Sequence, residues 1–181
     1  MNEQNKIKTG KFLSLILRHS PELIGIEMDS QGWVNIKELI SKCAAKGKRF
    51  SMADLEEIVE TNNKRRYSFN EDKTKIRANQ GHSIDVDLEF SPVEPPEILY
   101  HGTAESFYNS IMEKGIIKKN RQHVHLSDNR TTAHNVGARH GKPLILRVLS
   151  GEMHTDGIEF FLSENGVWLT DYIDPKYIEK E

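Results

Sequence analysis

The sequence predicts an α+β protein in two parts, on three observations. The first 61 residues carry apolar positions at helical spacing. Residues 98–169 carry short apolar runs separated by turn residues. Between them, Ser-Pro-Val-Glu-Pro-Pro at 91–96 places three prolines in six residues, which removes backbone donors, fixes φ and excludes regular structure. The predicted organisation is therefore a lobe over 1–90, a proline-rich linker over 91–96 and a second lobe over 97–181.

In the first lobe, Phe12, Leu13, Ile16 and Leu17 form one helical stripe, ended by Ser20-Pro21. Ile36, Leu39, Ile40 and Cys43 form a second, running to about Lys46, with Asn35 as N-cap and Glu38 three residues on. Met52, Leu55, Ile58 and Val59 form a third, to about Thr61, with Ser51 as the cap and Asp54 at the cap-plus-three position. Residues 66–69 and 74–77 then alternate polar with apolar around Asn70-Glu71-Asp72-Lys73, a β-hairpin signature. Three short helices closed by a hairpin read as a winged-helix module, a fold that serves nucleic acids and protein contacts alike.

In the second lobe, residues 98–100, 124–126, 144–148 and 167–169 read as strands, and about 104–114 and 130–138 as helices. The expectation there is a mainly antiparallel sheet.

Composition bounds the function. The chain of 181 residues has 25 Lys+Arg against 27 Asp+Glu, for a net charge of −2. Residues 1–90 hold 15 basic and 14 acidic side chains, residues 91–181 hold 10 and 13. Neither half offers a general basic field, so a polyanion must be gripped by a few placed Arg and His residues. Runs such as Leu144-Ile145-Leu146 fall far short of the roughly 18 apolar residues of a membrane span. The first residues lead straight into an amphipathic pattern without a signal-peptide core, so the expectation is a cytoplasmic protein. Cys43 is the only cysteine, which excludes an internal disulfide framework. It reads as a core residue. There is no Gly-x-Gly-x-x-Gly, no phosphate-binding Gly-x-x-x-x-Gly-Lys-Ser/Thr and no Gly-x-Ser-x-Gly elbow.

Chemistry concentrates elsewhere. Seven of eight histidines lie between 82 and 154, with His101 in Leu-Tyr-His-Gly-Thr (99–103) and His123 and His125 in Arg-Gln-His-Val-His-Leu-Ser (121–127). His-x-His on a strand puts two imidazoles on one face, as a zinc site would, but no third ligand stands at a fixed spacing. A nucleotide site fits the neighbours better: Gly102 would let a ligand approach the backbone, Thr103 and Ser127 bring hydroxyls, and a His on each of two strands can bond sugar hydroxyls. Arg18, His19, Arg77 and Arg121 all lie beside predicted element ends, where their side chains can converge on a dianion. Arg18 alone would need no function, since a cation at a helix C-terminus complements the dipole.

Leu-Arg-His-Ser-Pro (17–21), Gly-Trp-Val (32–34), Ile-Arg-Ala-Asn-Gln-Gly-His-Ser (76–83), Leu-Tyr-His-Gly-Thr (99–103), Arg-Gln-His-Val-His-Leu-Ser (121–127) and Asn-Gly-Val-Trp-Leu-Thr (165–170) resemble, in order, the signatures of the NAD-dependent RNA 2′-phosphotransferases. The resemblance spans nearly the whole chain. It implies an N-terminal winged-helix RNA lobe and a C-terminal ADP-ribosyltransferase-like lobe, an RNA carrying a 2′-phosphate as substrate and NAD as co-substrate, with no metal and a monomeric protein. The implied reaction has two transfers. The RNA 2′-phosphate attacks C1″ of the nicotinamide ribose and expels nicotinamide; the ribose O2″ then attacks that phosphate, releasing 2′-OH RNA and ADP-ribose 1″,2″-cyclic phosphate. The family's essential Arg-His-Arg-Arg set maps onto Arg18, His19, Arg77 and Arg121, with Arg139 as the other candidate for the fourth place. His101, His125 and Val167 map onto the three positions that mark the NAD site of this subclass, and Gly102, Thr103 and Ser127 lie beside them. Two alternatives remain at this point: an ADP-ribosyltransferase acting on terminal phosphates of nucleic acid, and a non-catalytic winged-helix RNA-binding protein.

Overall fold

A computed structural model describes all residues, Met1–Glu181, as two compact units, Met1–Glu89 and Phe90–Glu181. Helices and strands are mixed, and every strand pair is antiparallel. No helix is long and apolar enough to cross a membrane.

In the first unit, helix α1 (Glu3–Arg18) starts at Asn2, whose side chain accepts from the Asn5 N–H at 2.8 Å, and buries Leu13, Ile16 and Leu17. His19 caps its C-terminus, and Pro21 opens a short 3₁₀ turn that cannot extend the helix. Helix α2 (Ile36–Ala45) is capped by Asn35, which accepts from the Glu38 N–H at 3.1 Å. Helix α3 (Met52–Glu60) begins with a reciprocal capping box between Ser51 and Asp54. The caps of α2 and α3 thus stand where the sequence places them, whereas α1 begins at a cap, Asn2, that the sequence reading did not name. Strand β1 (Val34–Asn35) adds to the hairpin of β2 (Tyr67–Phe69) and β3 (Lys75–Ala78) in the order β1-β3-β2. Leu13, Ile16, Leu17, Leu39, Leu55 and Ile76 close the core, each side chain contributing roughly 1.5–3 kcal/mol by leaving water. Cys43 is buried in that core, and burial raises its thiol pKa to about 11, so it packs as an apolar residue.

The second unit holds strand β4 (Leu99–Ala104), helix α4 (Tyr108–Lys114), strands β5 (Ile116–Ile117) and β6 (Val124–Leu126), helix α5 (Arg130–Gly137), strand β7 (Pro143–Val148), helix α6 (Ser150–Thr155) and strands β8 (Phe161–Leu162), β9 (Trp168–Thr170), β10 (Tyr172–Ile173) and β11 (Ile178–Lys180). The expected single sheet is three small ones, ordered β11-β7-β4, β6-β9-β8 and β10-β5. A bridge joins the first two: Tyr100 N–H donates to Ser127 O at 2.7 Å and Ser127 N–H to Tyr100 O at 2.9 Å. Residues 91–96 have no regular structure, and they pack on this unit through Val93 N–H to Phe160 O and Ser150 Oγ to Pro96 O. Leu99, Leu146, Val148, Met153, Phe160 and Ile173 form the core.

Helix α5 lies directly on β4. A Cβ at Gly102 would overlap the Ala133 carbonyl, and one at Gly137 would overlap the Thr103 carbonyl. Only two glycines allow backbone to meet backbone here. The space that Gly102 leaves beside its Cα is filled by α5.

Candidate active site

Each unit carries one set of candidate residues. In the first, α1 ends on Arg18 and His19, and β3 carries Arg77. The chain leaving β3 returns to α1: Ser83 N–H donates to Arg18 O at 2.9 Å, and Ser83 Oγ lies 2.9 Å from His19 Nδ1. Between these contacts sits His82, fully buried, with its ring against Gly32 and neither ring nitrogen hydrogen-bonded. Burial lowers its pKa to about 4, and the positive charges of Arg18, His19 and Arg77 push the same way. His82 is therefore neutral at physiological pH. Since all three cations act on this one ring, the structure brings Arg18, His19 and Arg77 into one neighbourhood. Beyond it, Arg77 stacks on Trp33, its guanidinium carbon 4.5 Å from the ring centroid.

Arg121 lies in the second unit, in the turn before β6. Its Nη1 is 2.9 Å from His125 Nδ1. A guanidinium only donates, so Nδ1 accepts, and the neutral His125 ring carries its proton on Nε2. Burial, and the charge of Arg139, lower the Arg121 pKa from its ordinary value. His101 on β4 has the opposite tautomer. Its Nδ1 stands 3.2 Å from the His125 carbonyl oxygen, which can only accept, so the proton is on Nδ1 and Nε2 is the acceptor. Burial holds the His101 pKa below its usual value; the bond to the His125 carbonyl opposes this and the Lys119 charge reinforces it.

The other candidates flank these. Gly102 and Thr103 continue β4, with Thr103 buried. Ser127 follows β6, is tied to Tyr100 through its backbone, and accepts from Asn129 N–H at 3.0 Å with its hydroxyl, which helps start α5. Val167 precedes β9 in the turn closed by Ser163 N–H to Val167 O at 3.0 Å; the pair Trp168–Leu126 next to it sets Val167 at the end of the sheet where Ser127 leaves β6. His123 lies against the rings of Phe90 and Phe161, at 6.4 and 5.7 Å between centroids.

Charge grips a phosphate dianion, whereas neutral imidazoles of fixed tautomer present one acceptor and one donor to sugar hydroxyls. Sequence reasoning quoted Trp33 and His82 only as parts of motifs and assigned them no role. The register would have found Trp33: Val34 pairs with Ile76, so the preceding residue stands opposite Arg77. Burial of His82 leaves no local signal.

Comparison with known proteins agrees along the whole chain. The family model for RNA 2′-phosphotransferase, Tpt1 / KptA family, matches residues 4–172, a span that contains every candidate above. A probable RNA 2′-phosphotransferase from Flavobacterium johnsoniae is 55% identical over 179 residues, covering 99% of this chain and 98% of that protein. One from Fusobacterium nucleatum is 54% identical over 176 residues, covering 97% and 98%, and one from Nostoc punctiforme is 47% identical over 180 residues, covering 99% of each. With half its residues shared over full-length relatives and its motifs in the family's order, the chain belongs to the RNA 2′-phosphotransferase, Tpt1 / KptA family.

Proposed function

We propose that this protein removes an internal 2′-monophosphate from RNA by transferring it to NAD, yielding 2′-OH RNA, nicotinamide and ADP-ribose 1″,2″-cyclic phosphate. The family match over residues 4–172 carries the reading. The first unit is taken as a winged-helix RNA lobe over 1–90, supported by three helices and the order β1-β3-β2. Residues 97–181 are taken as an ADP-ribosyltransferase-like NAD lobe, with 91–96 as the linker. The protein works as a monomer in the cytoplasm, where RNA and NAD are both present.

NAD supplies an electrophilic C1″ with nicotinamide as leaving group, and a neighbouring O2″ hydroxyl for the second transfer. His101, Thr103, His125, Ser127 and Val167 hold it, and Gly102 contributes through the backbone of β4, its Cα side being covered by α5. The fit rests on the opposed tautomers, since the His101 Nε2 acceptor and the His125 Nε2–H donor suit ribose hydroxyls.

A phosphate nucleophile is already deprotonated at pH 7, so the chain supplies orientation rather than a base for the first transfer. Arg18 and Arg121 hold the RNA 2′-phosphate. Arg121 is itself aligned by His125. In the second transfer O2″ attacks phosphorus, its proton must leave and negative charge grows on the phosphate oxygens; His19 takes the proton and Arg77 stabilises the charge. The bond from phosphorus to the RNA 2′-oxygen then breaks, and that oxygen is protonated to a hydroxyl.

The test is an oligoribonucleotide bearing one labelled internal 2′-phosphate. With NAD, the label is expected to move to ADP-ribose cyclic phosphate, one nicotinamide per phosphate. Release of inorganic phosphate without NAD would overturn the reading.

A further inference from the structure

We propose that Trp33 is a positioning residue for phosphate transfer and acts through Arg77. This rests on the reading above, in which Arg77 stabilises charge on the phosphate. Arg77 ends its side chain over the Trp33 ring, 4.5 Å from guanidinium carbon to ring centroid. The sheet register produces the contact. Val34 pairs with Ile76 and Asn35 with Lys75, so the two residues just beyond stand opposite each other on the face that does not enter the core.

Trp33 is held from behind. Its N–H donates to Asp29 Oδ1 at 2.9 Å and its carbonyl accepts from Asp29 N–H at 3.1 Å, while Gly32 N–H donates to Asp29 O. Gly32 takes φ of 78°, a left-handed value that a side chain would strain. Lys75 Nζ pairs with Asp29 Oδ2 at 3.1 Å, which ties the same loop to β3. Hydrogen bonds from Trp33 and Gln31 and the Lys75 charge hold the Asp29 carboxyl below its usual pKa, outweighing its partial burial, so this clamp stays ionised at neutral pH.

An arginine has several rotatable bonds, and a flat guanidinium must present its donors in one plane to grip a tetrahedral phosphate. The indole supplies that plane. It contributes an electrostatic attraction to the cation and restricts the side chain before substrate arrives, without touching the phosphate itself.

The experiment is single-turnover kinetics on the labelled 2′-phosphorylated oligonucleotide with saturating NAD, for the wild type, Trp33→Leu, Trp33→Phe, Arg77→Ala and the double variant Trp33→Leu/Arg77→Ala, each first matched to the wild type in far-ultraviolet circular dichroism. Trp33→Leu is expected to slow phosphate release about three- to thirtyfold, with the NAD concentration for half-maximal rate unchanged. Trp33→Phe, which keeps an aromatic face, is expected to recover most of that loss. In the Arg77→Ala background the same Trp33→Leu change is expected to cost nothing further, because its route of action is gone. A Trp33→Leu effect equal in both backgrounds, or an equal loss in Trp33→Phe, would show a structural role and overturn the proposal. The wild-type reaction separates the two readings: absence of NAD-dependent transfer there contradicts the proposed function, whereas an active wild type with an unaffected Trp33→Leu contradicts only the role of Trp33.

Discussion

The two units arrange the same residue types in different ways. In the first, Arg18, His19 and Arg77 gather around His82, which is neutral at physiological pH; in the second, His101 and His125 are set in opposite tautomers by a carbonyl and by Arg121. Concentrated positive charge costs free energy unless an anion joins it, so the first arrangement suits a phosphate. Neutral, oriented donors and acceptors suit sugar hydroxyls, which carry no charge to attract. Under the proposed function histidine takes a proton at position 19 and serves as a hydrogen-bonding frame at 101 and 125, and the surroundings decide which.

The largest expected break in this contrast is on the charged side. Arg77→Ala or His19→Ala is expected to slow the second transfer by about 10²–10³ and to accumulate ADP-ribosylated RNA, resolved on a denaturing gel. Equal failure of both variants at nicotinamide release would contradict the assignment of these two residues to the second transfer. Next comes the frame of the neutral side. Gly102→Ala is expected to destabilise the protein by at least about 3 kcal/mol, read from the urea midpoint, because the new Cβ would lie within 2.6 Å of the Ala133 carbonyl carbon and α5 would have to lift from β4.

That last prediction marks where sequence and structure part. The caps of α2 and α3, the hairpin and the strand at 124–126 were legible because caps, turn residues and alternation are local signals. Strands β5, β8 and β10 were not: two residues cannot display a period of two, and only pairing with distant partners defines them. Helix α6, six residues long, is equally short of a pattern. In the site, residue types and motif order pointed to Arg18, His19, His101 and His125, but the tautomers depend on the His125 carbonyl and the Arg121 side chain, contacts that spacing does not contain. Spacing singled out Gly102 but could not show that α5 lies against it.

Smaller effects sharpen the comparison. His101→Ala is expected to weaken NAD binding roughly ten- to 150-fold, the cost of leaving buried polar partners unpaired, with little change in affinity for the RNA. The smallest expected effect on the charged side is a pH dependence carried by His82. The His82 pKa falls from 6.5 unfolded to about 4 folded, so the unfolded chain binds the extra proton as pH drops through this window. Stability is then lost on acidification, by about 1.5 kcal/mol between pH 6.5 and pH 5. The difference between wild type and His82→Gln in urea midpoints across that range isolates it, and parallel curves would refute it.

The central claim, that His101 and its neighbours in the second unit hold NAD while Arg77 acts on the phosphate and not on NAD, is tested most directly by calorimetry of NAD binding to the full-length wild type, Arg77→Ala and His101→Ala. The account predicts saturable binding to the wild type, the same affinity in Arg77→Ala and a loss of at least about tenfold in His101→Ala. No binding to the wild type, or a loss in Arg77→Ala with His101→Ala unchanged, would contradict it.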